Sequence, residues 1–244
     1  MGSPWVELVR LNEVLFYGRP AEDVLSMFGL SDDLQGLQGC KVLDCPGGPS
    51  SFTAMLAAAG IDAVACDPLY ALSDAQLRLK HAAAQVLLRP IAKNSDPADW
   101  LDQKHAHQRS AFEIFLADRG ACPQRYLAEA LPCLPFPSSH FDLVLSGHLM
   151  FSYAPVEEGG LMVSDGLDLD WHHAALIELC RVSRFEVRIY PAHTSYALIA
   201  ERHHYAKWLL NHLPLGWNGE FTTPHYFQGM IGCTDGLRLW RGGG

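Results

Sequence analysis

Two aspartates, Asp44 and Asp67, stand where a ligand-binding sheet would place its acidic groups. Each follows a short apolar run, VL before Asp44 and AVAC before Asp67, and Gly47 and Gly48 come shortly after the first of them. Such runs predict buried strands, and ligands meet parallel sheets at the carboxyl ends of strands. We therefore expect two neighbouring carboxylates that can bind hydroxyl groups or a cation.

The segment between the two aspartates predicts a complete unit of strand, turn, helix and strand. The two glycines permit a tight turn, Ser50 or Ser51 can cap the helix that follows, and Gly60 can end it. A unit of this kind holds an adenosine-containing ligand along the top of a parallel sheet.

Two classes of ligand compete for this unit, and Asp44 helps to separate them. A dinucleotide places its diphosphate against the glycine turn and the helix N-terminus, where an acidic residue would repel it. The spacing GxGxxG is also absent. S-adenosylmethionine is favoured instead, with Asp44 facing its amine and Asp67 accepting hydrogen bonds from both ribose hydroxyls. An NAD-dependent oxidoreductase is the alternative that Asp67 alone would suit.

These residues resemble the class I S-adenosylmethionine-dependent methyltransferases, whose loop runs acid, any residue, Gly, any residue, Gly. Pro46 takes the first glycine position here, and it fixes φ and removes one amide donor. Ser50 takes a third glycine position beyond Gly48. The resemblance covers residues 36–244. It continues through LPFPSSHFDLVLS, ELCRVSRFEVRIYP and the pair PHYFQG and GLRLWRG, which resembles the family's final hairpin.

The resemblance implies the fold and the cofactor of that family. We expect an α/β, three-layer Rossmann-like methyltransferase fold, with a mostly parallel seven-stranded sheet and an antiparallel C-terminal strand, in a single domain over 1–244. The expected cofactor is S-adenosylmethionine, and the resemblance places Pro46, Gly47, Gly48 and Pro68 in contact with it.

Residues 1–36 are predicted to form a helical cover ahead of the first strand. The segment 5–16 has leucines on one helical face, and Pro20 can start a second helix. In the family such helices often close over the cofactor, which would bring Tyr17 and Arg19 within reach of its carboxylate. A surface arginine beside a turn is the alternative.

Residues 71–124 are predicted to form a helical insertion between the second and third strands. We expect helices over about 73–89 and 96–116, broken by prolines. The insertion could wall one side of the substrate pocket or only pack on the sheet.

The adenine ring is expected near the third strand. Ala130 stands where the family usually has an aspartate, so Glu129 could contact the adenine amino group and Leu131 could present its backbone amide. Tyr70 follows Asp67 closely and offers a flat apolar face for adenine, although a core aromatic would satisfy the same pattern.

The segment SGHLMFSY follows the predicted fourth strand and begins at Ser146, which is expected to contact the cofactor. His148 and Tyr153 are the candidates for contact with the methyl acceptor. A histidine of near-neutral pKa could remove a proton from an oxygen or nitrogen nucleophile. A hydrogen bond from His148 to the cofactor or to a carbonyl is the alternative.

Charge and composition limit the classes of partner that the protein is expected to bind. The net charge is −9, from 18 Lys and Arg against 27 Asp and Glu, and no basic run occurs. Binding to a nucleic-acid backbone is therefore disfavoured, and a small-molecule acceptor fits better. Apolar runs fall short of a membrane span, and the N-terminus lacks the pattern of a secretory signal. We expect a cytoplasmic protein without nucleic-acid or membrane partners.

The seven cysteines contain no CxxC pair, and the histidine pairs have no acidic or thiol neighbour at a familiar ligand spacing. Buried reduced thiols and no metal site are the prediction, and a thiol site for a soft metalloid is the alternative.

Taken together, these features favour S-adenosylmethionine-dependent methyl transfer to a small molecule. A regulatory protein that binds the cofactor without transferring its methyl group is the second interpretation. The acceptor, the methylated atom and the oligomeric state have no signal in the sequence.

Overall fold

The computed structural model describes residues 10–92, 98–164, 166–195, 199–226 and 232–242. Within these residues one seven-stranded sheet carries helices on both faces. The strands are β1 (Lys41–Asp44), β2 (Asp62–Cys66), β3 (Tyr126–Leu127), β4 (Phe141–Gly147), β5 (Ser183–Tyr190), β6 (Trp217–Thr222) and β7 (Gly236–Arg241).

The strands lie across the sheet in the order β3-β2-β1-β4-β5-β7-β6. The first five pair in parallel, and β7 is antiparallel to both of its neighbours. The chain reverses its winding direction between β1 and β4, and open α/β sheets bind ligands at such a switch point. The predicted fold class, a mostly parallel seven-stranded sheet with an antiparallel C-terminal strand, is confirmed.

The helices complete a three-layer arrangement. They are α1 (Ala21–Phe28), α2 (Phe52–Ala58), α3 (Asp74–Ala92), α4 (Ala98–Ala121), α5 (Leu169–Val182) and α6 (His204–Leu210). Helices α1 and α2 pack on the face of the sheet that carries Val42 and Leu145. Helices α5 and α6 pack on the opposite face, which carries Leu43 and Val144. Alternate residues of β1 and β4 thus face opposite helical layers, as buried parallel strands require.

Helix α2 begins and ends much as the sequence predicts. Ser50 Oγ accepts a hydrogen bond from the amide of Phe52 at 3.2 Å, and Ser51 Oγ accepts one from the amide of Ala21 at 2.9 Å. Ser51 therefore joins the start of α1 to the start of α2. Gly60 follows the helix with a φ of +77°, the left-handed conformation that glycine adopts without steric cost.

The insertion between β2 and β3 is helical, with α3 and α4 extending further than the segments 73–89 and 96–116 predicted for them. Phe115 of α4 packs on the rings of Tyr70 and Tyr126 beside β2 and β3. Arg119 donates hydrogen bonds to the carbonyls of Tyr70 and Leu72 at 2.8 and 2.9 Å. The end of α4 is thereby attached to the turn that follows Asp67.

The prediction of a helix over 5–16 is wrong at the residues that the structure describes. Residues 10–20 are extended or irregular, and residues 1–9 lie outside the described part. The backbone of Leu11 pairs with the segment 161–163, with amide-to-carbonyl distances of 2.8 and 2.9 Å. The amide of Leu15 donates to the hydroxyl of Tyr153 at 3.0 Å. These tertiary hydrogen bonds take the place of helical ones, although the apolar spacing suited a helix. The second predicted helix is present as α1, directly after Pro20.

The final hairpin has a different first strand from the one predicted. The segment GLRLWR forms β7, but its partner is β6, with the sequence WNGEFT. The start of PHYFQG is a loop, and its remaining residues lie outside the described part. The aromatic residues of PHYFQG suit a strand, but in the structure Tyr226 packs against α1 instead.

Two adjacent residues of α5, one buried and one exposed, allow a test of which face of this helix packs on the sheet. Leu176 is fully buried, whereas the adjacent Ile177 is 44% exposed. We expect Leu176→Ala to lower the free energy of unfolding by about 3 kcal/mol, because it removes buried methyl groups and leaves a cavity. Ile177→Ala should cost about 1 kcal/mol or less. Urea denaturation at pH 7 measures both values, and equal losses would contradict this placement of α5.

Candidate functional site

The loop after β1 passes close over the end of β2. The amide of Gly47 donates to the carbonyl of Cys66 at 2.9 Å. A Cβ at Gly47 would lie 2.6 Å from the hydroxyl of Tyr70 and 2.7 Å from the Cβ of Ala65, so no larger residue fits without a shift. Gly48 has a φ of +53°, which also favours glycine. The loop therefore needs both glycines.

Asp67 holds this loop through its carboxylate. Its Oδ2 accepts from the amide of Gly48 at 3.2 Å, and its Oδ1 accepts from the amide of Leu69 at 2.9 Å. Burial raises the pKa of Asp67 to about 6, although these two amides act to lower it. A carboxylate offers about four lone-pair positions, so it can still accept hydrogen bonds from a diol.

Asp44 lies in a different environment at the end of β1. Its side chain is buried, and among the described residues no group donates a hydrogen bond to its carboxylate. Burial, and then the charge of Asp67, raise the pKa of Asp44 to about 8. A carboxylate in this setting is costly when ionised, and a cationic hydrogen-bond donor would stabilise it strongly.

Tyr70 supports the loop from below. Its hydroxyl donates to the carbonyl of Gly48 at 2.7 Å, and its ring stacks on Phe115 at 5.4 Å between centroids. It also makes an edge contact with Tyr126. The Tyr70 ring is part of a buried aromatic cluster, and its contact with adenine stays a prediction.

Arg19 lies in an extended strap, residues 10–20, that crosses the site. Its carbonyl accepts from the amide of Ser51 at 3.3 Å and from Ser50 Oγ at 3.0 Å. Its guanidinium donates to the hydroxyl of Tyr226 at 3.3 Å and lies 5.6 Å from the ring centroid of Tyr17. The backbone of Arg19 is thus fixed to the start of α2, while its side chain points towards aromatic residues.

The end of β4 brings three predicted residues together. Ser146 Oγ is buried and has no hydrogen-bond partner among the described residues. His148 has a φ of +50°, rare for a residue with a side chain, and its Nε2 lies 3.1 Å from the sulfur of Met27. The hydroxyl oxygen of Tyr153 accepts a hydrogen bond from the amide of Leu15. A strained backbone at a strand end is typical of functional sites.

The imidazole of His148 is neutral at pH 7. Burial holds its pKa well below the usual range, and the positive charges of Arg19 and Lys104 act in the same direction. Burial also raises the pKa of Tyr153 to about 12, so its hydroxyl stays protonated.

The residues predicted near adenine follow β3. Leu131 is buried, Glu129 is partly buried, and Ala130 is exposed and forms a turn with Cys133. Burial raises the pKa of Cys66 at the end of β2, and the negative charge of Glu129 acts in the same direction. Glu129 therefore lies close enough to the carboxyl edge of the sheet to affect groups there.

Sequence reasoning missed two tyrosines at this edge. Tyr190 ends β5, and its buried hydroxyl has no hydrogen-bond partner among the described residues. Tyr226 lies in the loop before β7 and packs edge-on against Tyr190 at 5.8 Å between ring centroids. The rule that strand ends carry function could have identified Tyr190. Tyr226 had no local signal, because only the tertiary fold places it there.

Comparison with known proteins gives one sequence relative and several similar structures. No family model matches the chain. "Uncharacterized protein MJ0045" of Methanocaldococcus jannaschii is 25% identical over 192 residues, which cover 75% of this chain and 80% of that protein.

The similar solved structures include methyltransferases. Magnesium protoporphyrin IX methyltransferase from Synechocystis, crystallised with bound S-adenosylmethionine, has a TM-score of 0.45 and 13% identity, over 91% of this chain and 77% of that one. A SAM-dependent methyltransferase from Methanosarcina mazei has a TM-score of 0.42 and 13% identity, over 87% and 98%.

Across the described ranges, no group of three or more His, Cys, Asp or Glu side chains is placed to hold a metal ion. No helix within those ranges is both long and apolar enough to span a membrane.

The buried Asp44 predicts an unusual pH dependence of stability. Its pKa is about 8 in the folded protein, against 3.8 as its ordinary value. Its contribution to stability is therefore fully present below about pH 4 and is lost as the pH rises towards 8. Relative to Asp44→Asn, the wild type should lose a few kcal/mol of unfolding free energy between about pH 5 and 8.

Urea denaturation across this pH range measures the difference in unfolding free energy between the two proteins. The buried histidines contribute in the opposite direction, but they are present in both proteins and cancel in this difference. Asp62→Asn, at the exposed start of β2, is the control and should follow the wild type. A constant difference between the wild type and Asp44→Asn would show that the Asp44 carboxyl titrates normally.

Proposed function

We propose that the protein transfers a methyl group from S-adenosylmethionine to a small-molecule acceptor. The observation that carries this proposal is the buried carboxylate of Asp44, which has no donor among the described residues and lies at the switch point of the sheet. A ligand with an ammonium group would favour ionisation of this carboxyl and pair with the resulting carboxylate, whereas the negative charge of a diphosphate would oppose that ionisation.

The residues at the site fit the cofactor in charge and hydrogen bonding. Asp44 would bind the amine, and Asp67 would accept from the ribose hydroxyls through its remaining lone pairs. The loop of Pro46, Gly47 and Gly48 leaves room for close backbone approach, because Gly47 and Gly48 carry no side chain. Pro68 starts the turn that keeps Asp67 in position.

The other residues predicted to contact the cofactor lie at positions that are compatible with such contact. Glu129 and the backbone around Leu131 would face the adenine, since they follow the strand next to β2. Ser146 Oγ is a buried hydroxyl without a partner in the described part of the chain, which suits a polar ligand group. Tyr70 would act by supporting the loop.

When bound, the cofactor supplies a methyl group on a positively charged sulfur, and the electron pair of the broken carbon–sulfur bond stays on sulfur. The protein then has to orient a nucleophile and exclude water. The strap of residues 10–20 covers the site, and Tyr153 holds the strap through the amide of Leu15. Tyr153 would thus position the cover over the acceptor.

His148 would accept the proton that an oxygen or nitrogen nucleophile releases. Its imidazole is unprotonated, as a proton acceptor has to be, but the burial that lowers its pKa also weakens it as a base, and its Nε2 would have to turn from Met27 towards the acceptor.

Methyl transfer converts the cofactor to S-adenosylhomocysteine, and binding of this product provides the direct test. S-adenosylhomocysteine should bind the wild type in a calorimetric titration, and Asp67→Ala should weaken its affinity about tenfold or more through lost ribose contacts. Asp67→Asn should weaken it less, because the amide oxygen can keep one backbone hydrogen bond. Asp62→Asn should leave the affinity unchanged. No heat from the wild type at high micromolar ligand would refute the proposal.

Proton release on binding gives a second test. At pH 7 the carboxyl of Asp44 is mostly protonated, since its pKa is about 8. Binding an ammonium group should ionise it and release about one proton per ligand. Titrations in phosphate and Tris, whose ionisation heats differ, measure that number. Asp44→Asn should release almost none and should bind more weakly.

A protein that binds the cofactor without transferring its methyl group would pass both binding tests. Turnover distinguishes the two functions: methyl-deuterated cofactor should yield labelled product with the wild type and much less with His148→Ala.

A further inference from the structure

A cluster of aromatic residues surrounds the guanidinium of Arg19 at the ends of β4 and β5. We call Tyr17, Arg19, His148, Tyr190 and Tyr226 the Arg19 cluster. The rings of His148 and Tyr190 are 5.4 Å apart, and those of Tyr190 and Tyr226 are 5.8 Å apart, between centroids. The guanidinium donates to Tyr226 at 3.3 Å and lies over Tyr17 at 5.6 Å. The cluster lies on the β4 and β5 side of the switch point.

The charge of Arg19 has no ion-pair partner within the part of the chain that the structure describes. The nearest acidic group in its hydrogen-bond network is Asp23, which accepts from the Tyr226 hydroxyl at 3.3 Å. A half-buried guanidinium prefers a planar anion that can take two parallel hydrogen bonds.

The hydroxyl of Tyr190 is a second unsatisfied group in the cluster. Its side chain is 1% exposed, and the hydroxyl has no hydrogen-bond partner among the described residues. Leaving such a donor unpaired costs free energy, so a ligand oxygen at this position would gain from it. An uncompensated cation and an unpaired donor therefore belong to the same cluster.

The cluster lies apart from the site of the cofactor amine. The guanidinium of Arg19 is held by the hydroxyl of Tyr226, and Tyr226 packs on Tyr190 at the end of β5. Strand β4 lies between β5 and β1, whose end carries Asp44, so the cluster and Asp44 are separated by one strand of the sheet. The amine and carboxylate of an amino acid share one carbon atom, so a residue that binds the cofactor's carboxylate has to lie near Asp44.

We propose that Arg19 binds an anionic group of the methyl acceptor, a carboxylate above all, and that the hydroxyl of Tyr190 donates to the same group. This assignment replaces the cofactor contact predicted for Arg19, and it rests on the function proposed above. The aromatic rings of the cluster would pack against the flat body of the acceptor, so a small aromatic or unsaturated acid is the expected class of substrate.

Binding of an anion would also prepare the base. Burial holds the pKa of His148 low, and the positive charge of Arg19 acts in the same direction. An anion on Arg19 neutralises this charge, so the pKa of His148 rises when the acceptor is in place. Proton acceptance is then coupled to the presence of the correct substrate.

The first experiment asks which carboxylate Arg19 binds. The variant Arg19→Gln keeps the backbone that anchors α2, and Arg184→Gln at the opposite edge of the sheet is the matched control. We expect Arg19→Gln to bind S-adenosylhomocysteine within about threefold of the wild-type affinity, because no cofactor contact is lost. A loss of about tenfold or more would assign Arg19 to the cofactor and overturn the proposal.

The second experiment measures selectivity for anions. Protein saturated with S-adenosylhomocysteine is heated with benzoate, 4-hydroxybenzoate or 4-aminobenzoate, each beside its uncharged amide. The acids should raise the melting temperature of the wild type and of Arg184→Gln, the amides should not, and Arg19→Gln should lose the effect while Arg19→Lys keeps part of it.

Each outcome separates the two proposals. Equal stabilisation by acids and amides, or no stabilisation by any acid, overturns the anion assignment while cofactor binding stands. Failure of the wild type to bind S-adenosylhomocysteine removes the proposed function itself and the acceptor assignment with it.

Discussion

The carboxylate of Asp44 is buried at the end of β1 without a hydrogen-bond donor among the described residues, and the rest of the site is organised around it. The neighbouring Asp67 has two backbone amides, so its charge is partly stabilised within the protein. Asp44 accepts no hydrogen bond from a backbone amide of the described residues, and its carboxyl is mostly protonated at neutral pH. A fold keeps such a group only at a cost in stability, which a cationic ligand can repay.

The loop above these carboxylates is held by contacts from several distant segments. Tyr70 and Asp67 bind it from β2, and the strap of residues 10–20 fastens it from the other side through Ser50 and Ser51. Phe115 of the insertion packs beneath Tyr70, and Arg119 fixes the turn after Asp67. The insertion therefore supports the loop as well as covering the sheet. This rigidity places backbone amides and carboxylates in fixed positions, as recognition of a small polar ligand requires.

The two halves of the site differ in charge. Two carboxylates lie at the ends of β1 and β2, and one guanidinium without an ion pair in the described chain lies near the ends of β4 and β5. The proposed cofactor, which has a net positive charge, would suit the first half, and the proposed anionic acceptor would suit the second. Such an arrangement would also draw the two ligands towards each other, because opposite charges attract strongly where water is excluded.

Local sequence patterns were sufficient for the strand, turn and helix unit around Asp44, whereas the mostly parallel seven-stranded sheet was expected from the family resemblance. Apolar runs, paired glycines and capping residues act over a few positions, so β1, α2 and the turn at Gly60 follow from them. The same reasoning identified both aspartates and His148, since strand ends are visible in a sequence.

The tertiary structure alone decided the features that depend on distant contacts. The strap at Leu11 is extended because it pairs with residues 161–163, and β6 rather than PHYFQG completes the hairpin. Tyr226 reaches Arg19 across 207 positions of the chain. The burial of Asp44, its lack of donors and its raised pKa likewise arise from packing by several elements at once, and no local pattern of residues records that.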